Sequence, residues 1–225
     1  MTGIAIVFTL LCLGLGALYV AACEKRRYGR AFWLKGLAGL CFVAVGLSLA
    51  MEQAGLEYPR LIFFGLVVGL VGDQLLALRY LHPERGEAFF VSGAIAFALG
   101  HVLYLRAMWG LDSGAWLFAF LLLAFGLALA YYYLLRQELD AGRLLAPGLV
   151  YIALVVAVAA MATALLIRGQ GIRALLLTLG GAAFAVSDCI LTVRSFGGKK
   201  TLAQSVIVHA AYYAAQLLIA WSIAA

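Results

Sequence analysis

The chain has 225 residues, 66% of them hydrophobic and 12% charged, with a formal net charge of +6 at pH 7 and a mean hydropathy of +1.07. A soluble domain is about 45–50% apolar and about 25% charged, so this chain cannot hide its apolar surface in a water-soluble core. Disorder, a coiled coil and an ordinary soluble enzyme are excluded, and the solvent of the chain is lipid.

Eight apolar runs lie between charged punctuation, at 3–22, 32–51, 60–81, 88–108, 114–135, 145–167, 173–194 and 202–224. Each is close to the ~20 residues that cross a bilayer core as a helix. The reading is an all-α integral membrane protein with eight transmembrane helices in one domain, 1–225. The first run lacks a basic n-region and its charges follow it, which fits a first helix rather than a cleaved signal peptide. Cys12, Cys23, Cys41 and Cys189 fall in or beside apolar runs. Their spacing matches no zinc or redox pattern, so they read as small hydrophobes.

Basic residues set the orientation. The odd-numbered loops and their flanks carry twelve: Lys25, Arg26, Arg27, Arg30, Lys35, Arg79, Arg85, Arg136, Arg143, Arg194, Lys199 and Lys200. The even-numbered ones carry four: Arg60, Arg106, Arg168 and Arg173. Odd loops are therefore expected in the cytosol and both termini outside, in the inner or plasma membrane if the source is bacterial. The positive charge reads as a basic inner rim that favours anionic or zwitterionic headgroups, with no nucleic-acid partner.

The second half echoes the first. Asp73 and Arg79 in the third run match Asp188 and Arg194 in the seventh, six apart in both, at an offset of 115. His101 and Tyr104 match His209 and Tyr212 at an offset of 108, and Tyr19, Gly29 and Arg30 match Tyr132, Gly142 and Arg143 at 113. The order suggests two parallel four-helix repeats, about 1–108 and 114–225, related by a pseudo-two-fold axis along the membrane normal. Helices three and seven would then face each other across the axis, helped by Gly65, Gly69, Gly72, Gly180 and Gly181. Six residues of helix place both aspartates about 9 Å inside the rim.

Of ten acidic residues, eight lie in loops or at helix ends: Glu24, Glu52, Glu57, Glu84, Glu87, Asp112, Glu138 and Asp140. Only Asp73 and Asp188 lie inside spans. A carboxylate there costs a few kcal/mol or more and is by default a functional candidate. The alternative is local pairing with Arg79 or Arg194 that merely pins helices. Two carboxyls close together in low dielectric cannot both ionise easily, which offers an acid and a base in one pocket.

His101 and His209 lie inside helices as core histidines, as polar walls of the site or, with the aspartates, as zinc ligand types. No motif supports the zinc reading. Lys35 either snorkels to the rim or contacts a phosphate or the aspartates. Tyr104, Tyr212 and Gln216 share helix faces with the histidines and line a cleft or bridge helices. Gly69 through Asp73 has one residue too many for the Gly-x-Gly-Asp motif of intramembrane aspartyl proteases, and the partner Tyr-Asp is absent. No phosphate loop, nucleophile triad or cofactor fingerprint is present.

The chain resembles the YhhN/TMEM86 family of eight-helix membrane proteins in several segments. These are Gly69 through Leu76, Gly93 through Phe97, and His101 to Tyr104. Further matches are Phe184 through Leu191 with Arg194 and Phe196, and Tyr212 through Ser222. Two points of comparison matter. The family often has Lys-Pro early in helix two, where Gly36 follows Lys35 here. Some members lack the second aspartate, which this chain keeps.

The resemblance implies a lysoplasmalogenase. Such a hydrolase cleaves the vinyl ether of a lysoplasmalogen to a fatty aldehyde and a glycerophospho-ethanolamine or -choline. Asp73 and Asp188 would be the acid and base, with their roles open. Lys35, His101, Tyr104, His209, Tyr212 and Gln216 would bind or orient substrate, with a lysophospholipid, membrane lipids and water as partners and no metal or cofactor. The same parts also suit a proton-coupled transporter or binder of an amphiphile.

Overall fold

The computed structural model describes residues 2–137, 139–197 and 201–225. Glu138, Lys199 and Lys200, counted among the charged residues above, lie outside them. The eight long helices are α1 (Thr2–Glu24), α2 (Tyr28–Met51), α3 (Glu57–Leu81), α4 (Gly86–Trp109), α5 (Trp116–Leu135), α6 (Leu145–Ile167), α7 (Gly171–Phe196) and α8 (Leu202–Trp221). All eight are long and apolar enough to cross a membrane. A helix satisfies its own backbone hydrogen bonds, the condition for such sequences in lipid.

Several helices begin or end beyond the apolar runs because their ends are polar. Glu57 opens α3 and Arg79 lies in its last turn, signs that suit the helix dipole. Pro59 sits in the first turn, where a missing N–H breaks no intrahelical bond. Thr201 and Gln204 close a capping box on α8, which fixes where the chain turns into the membrane.

Large apolar side chains such as Leu10, Phe120, Phe125 and Val150 point outward, as a lipid solvent permits. Phe42, Leu66, Phe184 and Ile219 fill the interior. Sequential helices pack as neighbours, except α4 on α5; α4 lies on α6, while α2 and α1 lie on α8. α5 is peripheral and leans mainly on α6. At the far helix ends, Arg106 pairs with Glu57 at 2.7 Å and Arg168 with Asp112. The Arg168 hydrogen bond holds the Asp112 carboxyl below its ordinary value.

Helices α3 and α7 do not pack along each other, contrary to the sequence expectation. Their glycines serve other contacts. A Cβ on Gly72 would stand 3.2 Å from the Gly93 carbonyl oxygen, and one on Gly100 would stand 3.2 Å from that of Gly65. These glycines let α3 and α4 approach backbone to backbone. Gly180 abuts α8 at Ala215, and Gly181 abuts α6 at Ala159. A Cβ on Gly69 would meet Gln216 Nε2 at 2.7 Å. Gly69→Ala is therefore expected to destabilise the protein by about 1–3 kcal/mol through overpacking. The check is a lowered thermal midpoint in detergent, with Gly29→Ala, where nothing lies within 4 Å of the new Cβ, as the unchanged comparison.

Candidate active site

Lys35, Asp73, Tyr151, Asp188 and His209 lie in the half of the bundle nearest the odd-numbered loops, those joining α1 to α2, α3 to α4, α5 to α6 and α7 to α8. Asp73 and Asp188 each lie eight residues before the end of their helix, about 12 Å deep at ~1.5 Å per residue. Both are buried, at 1% and 6% exposure. They line one cavity of about 350 Å³, together with Lys35, Tyr151, His209 and Tyr212. The cavity runs to Glu24, Tyr28, Arg79 and Arg194 at the odd-loop helix ends. This is within the usual size of a small-molecule site, ~300–1,000 Å³.

The two carboxyls differ. Lys35 Nζ stands 2.9 Å from Asp73 Oδ1, and Tyr212 donates its hydroxyl to Oδ2 at 2.8 Å. Lys35 thus reaches inward to an aspartate and stays 5% exposed, with its ammonium 5.6 Å over the Tyr19 ring. A buried carboxylate with an ammonium and a phenol on its two oxygens is compensated as an anion. The Asp188 carboxyl accepts one hydrogen bond among the described residues, from the Tyr151 hydroxyl at 2.6 Å. Among the described residues it has no cation partner. Neither aspartate pairs with Arg79 or Arg194.

Tyr151 was not singled out from the sequence. It is the one aromatic residue of the sixth run, 145–167, and that is the one signal that marks it.

Behind the cavity wall a hydrogen-bonded chain holds Asp73 in place. Tyr104 donates to Gln216 Oε1 at 3.0 Å, and Gln216 Nε2 donates to the Tyr212 hydroxyl at 2.8 Å. Each group spends a donor on the next acceptor, so the chain fixes the direction of the Tyr212 proton toward Asp73. Tyr104 and Gln216 belong to this support and do not line the cavity.

His101 is also outside the cavity. Its Nδ1 bonds the Phe97 carbonyl at 2.7 Å, and its ring packs edge-on against Phe184 with centroids 5.0 Å apart. His209 does face the cavity, against Tyr19. Its Nδ1 bonds the Ser205 carbonyl at 2.7 Å. A carbonyl only accepts, so in both rings Nδ1 carries the hydrogen and Nε2 is left as an acceptor. Among the described residues no three His, Cys, Asp or Glu side chains converge as a metal site needs.

The site is thus a pocket with an ion-paired carboxylate on one wall and a carboxyl without a cation on another. No curated protein and no solved structure matches the chain. The model of the YhhN family matches residues 4–223, nearly its whole length, and the chain belongs to the YhhN family.

Proposed function

We propose that the protein is a membrane-embedded hydrolase that cleaves the vinyl ether of lysoplasmalogens to a fatty aldehyde and a glycerophospho-ethanolamine or -choline. Family membership is consistent with a membrane hydrolase of this kind. The observation that carries the reading is the inequality of two buried carboxyls on one cavity. A charge buried without a partner is costly, so Asp188 is the carboxyl suited to keep its proton, while Lys35 keeps Asp73 anionic.

The chemistry follows from that division. Asp188 gives its proton to the outer alkene carbon, and the ether carbon becomes an oxocarbenium ion. The new Asp188 carboxylate and Asp73 face the developing positive charge. Water adds to the cation and returns a proton to Asp188. The hemiacetal then breaks its bond to the glycerol oxygen. Its hydroxyl proton leaves and the glycerol oxygen gains one, so aldehyde and alcohol form with no net proton change. Tyr151 orients Asp188, Tyr212 orients Asp73, and His209 Nε2 offers an acceptor for water or a substrate hydroxyl. The alkenyl tail lies among the apolar helices.

We also assign the odd-numbered loops to the cytosol and relate the halves by an axis along the membrane normal. The neighbour pairs α2–α8 and α6–α4, which such an axis would exchange, support the latter.

The test uses purified protein in liposomes supplied with lysoplasmenyl-ethanolamine. Aldehyde formed without any pH gradient is the expected result. Intact lipid moved across the bilayer only when a gradient is applied would overturn the hydrolase in favour of a proton-coupled transporter.

A further inference from the structure

Two arginines near the cavity mouth have no role in the chemistry above. Arg79 and Arg194 each lie six residues beyond a site aspartate, and both line the cavity. Both are half-buried. Among the described residues, no carboxylate forms an ion pair with either. Arg79 lies with its guanidinium 5.1 Å from the ring centres of both Tyr80 and Phe90. Arg194 is tethered by one bond, from Nη1 to the Thr201 carbonyl at 2.6 Å. A guanidinium held against aromatic faces keeps its N–H edge free, the arrangement that suits a phosphate.

Arg79 also lines a second cavity of about 460 Å³, which shares Phe90, Leu144, Ser195 and Phe196 with the first. This outer chamber lies among the odd loops. One side of it is fixed by an antiparallel bridge between Leu139 and Gly197 and by the Asp140 amide bonding the Phe196 carbonyl at 2.9 Å. Arg143 and Glu87, joined at 2.6 Å, stand on another side. Arg79 thus stands where the two cavities adjoin, on the way from the aspartates to this chamber.

We propose that Arg79 and Arg194 form a phosphate clamp that seats the phosphodiester of a single-chain lipid, with the rest of its polar head in the outer chamber. The proposal rests on the lysoplasmalogen reading for the identity of the lipid, and its distances agree with that reading. Six residues of helix separate each aspartate from its arginine by about 9 Å of rise. In a lysoplasmalogen, seven bonds run from the alkene carbon that takes the proton to the phosphorus. At about 1.2 Å of advance per bond in an extended chain, that is roughly 8 Å. A phosphate on the arginines therefore sets the alkene beside the carboxyls. The clamp acts as a ruler that selects glycerophospholipids over alkenyl chains lacking a phosphate.

The experiment measures binding, so it needs no turnover. Lysophosphatidylethanolamine, which has no vinyl ether, and a monoalkylglycerol of equal chain length, which has no phosphate, are titrated onto the full chain in detergent. The wild type is expected to prefer the phospholipid by tenfold or more. Arg79→Gln and Arg194→Gln are each expected to collapse that ratio about tenfold, the size of a charged hydrogen bond. Arg79→Lys is expected to restore part of it, which also controls for folding. Inorganic phosphate added as a competitor distinguishes the sources. Weak competition supports a site built for the lipid head. Strong competition together with no lipid preference overturns the lipid and assigns the site to free phosphate. A wild-type ratio near one without competition, or a ratio unchanged in both glutamine variants, overturns the clamp. Arginine-dependent binding by a protein that releases no aldehyde would keep the clamp and reject the hydrolase.

Discussion

Asp188→Asn is expected to reduce aldehyde release by about 10²–10⁴-fold, the usual contribution of a positioned acid. The amide is nearly isosteric and can still accept the Tyr151 hydrogen bond through its oxygen, so packing at this buried position changes little. What is lost is the proton that starts the reaction. Tyr151→Phe removes only the orienting hydroxyl and is expected to cost far less, about tenfold, mostly in kcat. The check is initial rates of both variants beside wild type, with thermal melts showing that each is folded. Equal losses in the two variants would mean that Tyr151 takes part in the proton transfer itself.

Lys35→Met should produce the largest loss of stability of any single change at the site. It leaves the Asp73 carboxylate 1% exposed and without its ammonium. Breaking one side of a buried ion pair costs about 3–5 kcal/mol. The double variant Lys35→Met with Asp73→Asn removes both charges and is expected to recover most of that stability. It should not recover activity, because the negative charge that faces the oxocarbenium ion is gone. Thermal midpoints and turnover of the two single variants and the double variant form the cycle that checks this. Additive stability losses would mean that the two residues do not act as a pair.

The helices were legible because lipid imposes one rule, a run of about 20 apolar residues, on every span. All eight runs became helices; several extend past the apolar stretch into residues such as Glu57 or Ser195 and Phe196, while α5 begins at Trp116 and α8 ends at Trp221, inside the runs 114–135 and 202–224. Asp73 and Asp188 stood out for the complementary reason, that charge in a span is expensive. Their partners were harder to read. The ion pair of Lys35 with Asp73 joins α2 to α3, and no local spacing encodes it. Tyr151 carries no charge, so nothing in an aliphatic run announces that its hydroxyl meets Asp188. Helical periodicity placed Tyr104 and Gln216 on faces shared with the histidines. It could not say whether those faces look into a cavity or onto a neighbouring helix, and both look onto helices. The glycines were read correctly as sites of close approach. Their partners were not, because packing of α3 on α4 is decided by the whole bundle.

The most direct test of the central claim is the release of aldehyde and glycerophosphoethanolamine from lysoplasmenyl-ethanolamine, measured for purified wild type and Asp188→Asn together. Equal amounts of both products from wild type, and almost none from the folded variant, are the expected result. Wild-type protein that binds the lipid but releases neither product, or a variant that releases both at the wild-type rate, would contradict it.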